Sequence, residues 1–198
     1  MVLKPIVSAA MAIGCMVALA QNRRDEELAR LLADIKTRQK AVAGIVASPE
    51  GQVSVLLSWS EKPPRQVNES ELYVGMAEVF GQLKTKAAIP FLIKNISLQR
   101  GLPSPNTFMK TPQVIEQRMP AVAALIQIGP DAAKAVMRSF SERSDEGERL
   151  ATIFVVSRIK GVPEARDFLT SVLGRANMER FWAEEGLKIL GDSSSPVR

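Results

Sequence analysis

The stretch AALIQIGPDAAKAVMRSF, Ala123–Phe140, is short of reactive side chains. Ala133, Val136, Met137 and Phe140 stand at i, i+3, i+4 and i+7, the spacing of one helix face. Gly129-Pro130-Asp131 punctuates the run, since Gly ends a helix well and Pro suits the first turn of the next. The stretch therefore predicts a helix, a tight turn and a second helix. It reads as scaffold rather than active site.

The pattern recurs outward in both directions. Ile89, Leu92, Ile93 and Ile96 carry the same stripe, as do Ala165, Phe168, Leu169 and Val172. Each has a partner upstream: Met76, Val79, Phe80 and Leu83; then Met119, Val122, Ala123 and Ile126; then Leu150, Ile153 and Phe154, with Ser157 weakening the last position. Ala183, Gly186, Leu187 and Leu190 suggest one more first-type helix. Within a pair the stripes begin 13, 14 and 15 residues apart, which is helix, turn, helix. First-type stripes step by 43, 31 and 33 residues and second-type stripes by 44 and 32, the period of a helical solenoid. The enlarged interval contains Gln99-Arg100-Gly101-Leu102-Pro103-Ser104-Pro105-Asn106-Thr107, where two Pro and a Gly interrupt any helix. Gly161-Val162-Pro163-Glu164 repeats the Gly–Pro turn, and Asn68 before Glu69 and Glu71 predicts an N-cap with an acidic first turn.

Residues 21–68 fit less well and are expected to form a divergent capping helix pair and a linker. Leu28, Leu31, Leu32 and Ile35 supply its first stripe, and Val42, Ile45 and Val46 extend it. Val53, Leu56 and Leu57 supply a shorter partner after Ser48-Pro49-Glu50, although Val53–Leu57 is also the best strand candidate. Terminal repeats need an atypical outer face, so divergence is expected there. Residues 69–191 hold the regular repeats, and 192–198, with three consecutive Ser, form a tail expected to be disordered.

Residues 1–20 read as an export signal: Lys4, an uncharged apolar run from Ile6 to Leu19, the small-x-small site Ala18-Leu19-Ala20, then polar Gln21-Asn22-Arg23-Arg24. The run is short for a membrane span. The expected compartment is the periplasm or the exterior. Two other readings keep the chain at a membrane, an uncleaved anchor or lipidation at Cys15, where Ala12-Ile13-Gly14-Cys15 resembles a lipoprotein box with Ala12 in place of the usual Leu.

Composition narrows the chemistry. Cys15 is the one Cys of the 198 residues and the chain has no His. Cleavage after Ala20 leaves no thiolate nucleophile, imidazole base, disulfide or ordinary zinc site. Gly-x-Ser-x-Gly does not occur, and no glycine-rich phosphate loop is present. No cofactor is expected. Removing Lys4 leaves 25 basic against 21 acidic residues with interspersed signs, so no basic stripe calls for nucleic acid. Glu142, Asp145, Glu146 and Glu148 read as a solvated helix junction, and Gly75 and Gly81 as close-packing positions.

Val79-Phe80-Gly81-Gln82-Leu83-Lys84-Thr85-Lys86-Ala87-Ala88-Ile89-Pro90-Phe91-Leu92 resembles a HEAT or HEAT-like repeat, as does Ala124-Leu125-Ile126-Gln127-Ile128-Gly129-Pro130-Asp131-Ala132-Ala133. The resemblance covers 69–191 well and 24–61 poorly. It implies an all-α, right-handed-type α-solenoid of about four helix pairs after the signal segment. It also implies a non-catalytic protein- or peptide-binding scaffold, because most proteins of this kind bind and their repeat-defining residues pack. A lyase-type enzyme on a bulky substrate, or a membrane-tethered structural protein, is the alternative. Candidate binding residues are Arg100, Leu102, Phe108, Met109 and Lys110, in the long Gln99–Pro112 connection, and Phe181 and Trp182 on the last helix.

Overall fold

Gly129 has φ 87° and ψ −141°, a backbone region that essentially only Gly occupies. It separates α7 (Pro120–Ile128) from α8 (Pro130–Arg138), so the deciding stretch is the helix–turn–helix its sequence predicts. The structure, a computed structural model, describes residues 21, 23–101, 111–143, 145–172 and 186. Among the described residues the structure is all-α, with no strand. Helix α1 covers residues 23–33. There follow α2 (Arg38–Ala47), α3 (Gln52–Trp59), α4 (Glu69–Gln82), a 3-10 turn Lys86–Ala88 running into α5 (Ile89–Lys94), and α6 (Pro112–Arg118). After α7 and α8 come a 3-10 turn Phe140–Glu142, α9 (Glu146–Lys160) and α10 (Val162–Val172). Val53–Leu57 is thus helical, within α3.

The chain divides into two compact units, Met1–Gly75 and Met76–Arg198. In the first, Ala29, Leu32, Val42, Ile45, Leu56 and Trp59 are buried. Helix α1 stops earlier than its stripe suggests: Leu31, still helical, is 38% exposed, and Ile35, in the turn, is 71% exposed. Side chains end the helix. Thr37 Oγ1 donates to the Leu31 carbonyl at 2.9 Å, and buried Arg38 donates from Nε to the Leu32 carbonyl at 2.8 Å. These bonds satisfy last-turn carbonyls that further helix would have taken. Arg38 Nη2 also pairs with Glu71 at 2.5 Å, which ties α4 to the α1–α2 turn. Asn68 caps α4, its Oδ1 accepting from the Glu71 N–H at 3.2 Å. Gly75 lets α4 lie against α1, since a Cβ there would sit 2.8 Å from the Leu32 carbonyl oxygen.

In the second unit α6 packs on α7, α7 on α8, α8 on α9 and α9 on α10, and helices also meet the next of their own type. First-type helices meet where Gly81 of α4 leaves room for Ala124 of α7, where α7 packs on α9, and where helical, buried Gly186 faces Ile153 of α9. Second-type helices meet at α5 with α8, and Phe140, in the 3-10 turn that follows α8, meets Phe168 of α10. The second-type stripes are buried much as their spacing predicts: Ile89, Leu92 and Ile96; Ala133, Val136 and Phe140; Ala165, Leu169 and Val172. The first-type stripe of α4 is likewise buried at Met76, Val79 and Phe80, but α7 differs. In α7 Ala121, Val122, Ala124, Leu125 and Ile128 are buried while Ala123 and Ile126 are only half-buried. A helix flanked on two sides buries more than one stripe, so a single-face template misplaces its phase.

The enlarged interval also holds a helix that the periodicity misses. Thr111 precedes Pro112 at the start of α6, Ile115 anchors it, and Met119 before Pro120 ends it.

Candidate functional site

The structure places the sequence-derived candidates unevenly. Arg100 is described, and it is occupied. Its Nη2 pairs with Glu78 at 2.9 Å, and its backbone N–H donates to the Arg118 carbonyl at 2.7 Å. It fastens the base of the long connection. Leu102, Phe108, Met109 and Lys110 lie outside the described residues, as do Phe181 and Trp182.

A concave site that periodicity did not single out lies between α8 and α10. Its volume is about 520 Å³. Helix α8 contributes Pro130, Asp131, Lys134 and Met137, and α10 contributes Glu164, Asp167 and Phe168. Lys160, from the end of α9, completes the lining. The spacing explains the placement. Residues 130, 134 and 137 share one face of α8, beside the buried stripe, while 164, 167 and 168 share one face of α10. Met137 and Phe168 stand on the predicted stripes, whereas the charged residues beside them lie on the polar edge, which apolar spacing does not reveal.

The floor is apolar and braced. Phe168 meets buried Phe140 edge to face, with centroids 5.4 Å apart and rings at 83°. The guanidinium carbon of buried Arg149 lies 5.4 Å from the Phe140 ring centroid, a cation–π contact from behind. Arg143, also buried, donates from Nη2 to the Ile93 carbonyl at 2.9 Å and from Nη1 to Glu148 at 2.8 Å. It joins α5 to α9, reaching Ile93 from 50 residues away. Asp145 caps α9, accepting from the Glu148 N–H at 3.0 Å. The acidic junction therefore serves a helix start and a buried arginine.

The rim is charged. Lys86 reaches Asp131 at 2.6 Å. The hydrogen bond from Lys86, then its charge, holds the Asp131 carboxyl below the usual carboxylate range, with Lys134 adding to the effect. The same pair holds the Lys86 ammonium above its ordinary value. Both side chains are exposed, so the pair orients charge more than it stabilises the fold. Lys134, Lys160, Glu164 and Asp167 are exposed and have no ion-pair partner among the described residues.

Among the described residues no group of three His, Cys, Asp or Glu is placed to hold a metal ion, and no helix is long and apolar enough to cross a membrane. No family model, curated protein or solved structure matches this chain. A braced aromatic floor between two rows of exposed charge suits a side chain and its flanking groups.

Proposed function

We propose that this chain is an exported HEAT-like repeat protein, a right-handed-type α-solenoid that binds a protein or peptide in the cell envelope without catalysing a reaction. The observation that carries the reading is the like-on-like stacking of residues 76–172, where first-type helices meet first-type and second-type meet second-type. A linear stack leaves furrows between successive second-type helices, and the α8–α10 groove is such a furrow. The export part rests on the Lys4, Ile6–Leu19 and Ala18-Leu19-Ala20 pattern.

The test is crosslinked affinity capture of the tagged protein from its native envelope. It would run beside a form with the Gln99–Pro112 connection shortened and a form carrying Phe168→Ala. A reproducible partner that either change weakens is the expected result. A capture identical to an untagged control would count against the scaffold reading. Intact-mass measurement of the recovered protein should give a chain starting at Gln21. Retention of residues 1–20, or a lipid on Cys15, would replace export in free form with membrane tethering.

A further inference from the structure

We infer that the groove between α8 and α10 takes a short mixed-charge peptide segment. Its apolar side chain would sit on Met137 and Phe168, with a basic neighbour toward Glu164 and Asp167 and an acidic neighbour toward Lys134 and Lys160. The inference rests on the peptide-binding reading above and names the chemistry of the ligand.

The charges decide it. Asp131 is engaged by Lys86 at 2.6 Å, so it offers a ligand little net charge. Two carboxylates and two ammonium groups remain around the groove without ion-pair partners among the described residues. The carboxylates, Glu164 and Asp167, stand at i and i+3 on α10, and no basic residue of α10 joins them in the lining. Lys134 stands on α8 across the groove, and Lys160 closes it from the end of α9. A ligand of one sign would satisfy one set and face repulsion from the other. A ligand carrying both signs satisfies both.

The floor decides the centre. Phe168 is fixed by its edge contact with Phe140, which in turn lies under Arg149. An anchor already ordered loses little entropy when a ligand covers it. An extended polyproline-II segment repeats every three residues, so three consecutive side chains point in three directions. One can meet the floor while its neighbours reach opposite walls. A groove of about 520 Å³ suits such a tripeptide core with open ends.

The test uses four end-capped, fluorescently labelled peptides of Gly and Ser around a central Lys-Leu-Glu, Glu-Leu-Lys, Lys-Leu-Lys or Glu-Leu-Glu. Binding to the full chain is read by anisotropy at low ionic strength. At least one mixed-charge peptide should bind about fivefold more tightly than both like-charge peptides, the effect of roughly one exposed ion pair. The double variant Glu164→Lys with Asp167→Lys should switch the preference to Glu-Leu-Glu. The double variant Lys134→Glu with Lys160→Glu should switch it to Lys-Leu-Lys. All four positions are exposed, so these variants should fold, and circular dichroism would verify it. Phe168→Ala should weaken every peptide about tenfold, and if it fails to fold the charge switches alone carry the test. A like-charge peptide binding best, or preferences unmoved by the switches, overturns the inference and leaves peptide binding standing. No binding by any of the four peptides overturns it as well, and the affinity capture then decides the wider reading separately.

Discussion

Helix α1 of the first unit and helices α7 and α9 of the second end by different means. In Met1–Gly75, α1 is closed by side chains: Thr37 and Arg38 take the carbonyls of Leu31 and Leu32, and Arg38 continues to Glu71, 33 residues on. In Met76–Arg198, α7 and α9 are closed by backbone alone, with Gly129 at φ 87° and Gly161 at φ 97°. A backbone turn costs one residue and can be copied along a chain. These two glycines stand 32 residues apart, one step of the second-type stripes. A side-chain closure needs a particular long-range partner and cannot be copied without it. The repeat is regular where closure is local.

The largest expected effect comes from breaking the side-chain closure. Arg38→Met should cost roughly 2–3 kcal/mol, because it leaves a buried carbonyl without its donor and Glu71 without its partner. Glu71 is about a quarter exposed and can turn to water, which keeps the loss at the lower end for a buried pair. Hydrogen exchange should quicken first in α1 and α2 while the α7–α10 amides keep their protection. Equal loss across both units would show that Arg38 does not act locally.

Next comes Gly81→Ala, at about 1–3 kcal/mol. The new Cβ would lie 2.7 Å from Gln127 Oε1, which can swing away, and 2.9 Å from Ala124 Cα, which cannot. Gly44→Ala in α2 is the contrast, since nothing lies within 4 Å of its Cβ position. In a helix interior that exchange should stabilise by up to about 1 kcal/mol. Urea denaturation of both variants should give shifts of opposite sign. Shifts of the same sign would mean that the α4–α7 approach is looser than these distances require.

The same contrast explains what the sequence made visible. The second-type stripes, the turns at Gly129 and Gly161, the Asn68 cap and the close packing at Gly75 and Gly81 all follow from neighbouring residues, and each can be recognised from spacing. Arg38 cannot, because nothing near it announces Glu71 or a buried guanidinium. Ile35 was misplaced for the same reason: the helix is stopped by a residue beyond it. Helix α6 was hidden by shortness, with Ile115 as its one buried residue. The groove was half legible. Phe168 and Met137 stood on the predicted stripes, yet their half-exposure shows only when α8 and α10 lie side by side. Its charged rim is legible only in pairs, since Asp131 looks as free as Glu164 until Lys86 is placed.

The backbone turns can be exchanged to sharpen the comparison further. Gly129→Ala and Gly161→Ala should each cost about 1–2 kcal/mol, because a Cβ strains a backbone at those angles. The first pair does without a glycine. Lys84 takes φ 50°, while the Lys84 N–H donates to the Gly81 carbonyl at 3.0 Å and the Thr85 N–H to the Phe80 carbonyl at 2.9 Å. That is a Schellman closure with Lys in the left-handed position. Lys84→Gly should therefore raise stability by about 0.5–1 kcal/mol in thermal unfolding. A loss on that exchange would show that the Lys84 side chain, and not its backbone angle, holds the turn.

The smallest effect is invisible at neutral pH and isolates one local contact. Tyr73 is the chain's one tyrosine, so its phenolate absorbance is unambiguous. Burial, then the hydrogen bond to Glu69 and the Glu69 charge, push its pKa from 10.0 up to about 12. A phenol raised above its unfolded value adds stability that is complete below pH 10 and is lost as pH rises through the folded value. Titration of the folded chain, monitored by circular dichroism, should give a midpoint near 12. Glu69→Gln should lower that midpoint only part of the way, because burial is the largest cause and remains. An unmoved midpoint would remove Glu69 from the account. Glu69 and Tyr73 stand one helical turn apart, so their contact, unlike that of Arg38 with Glu71, is one that spacing alone makes visible.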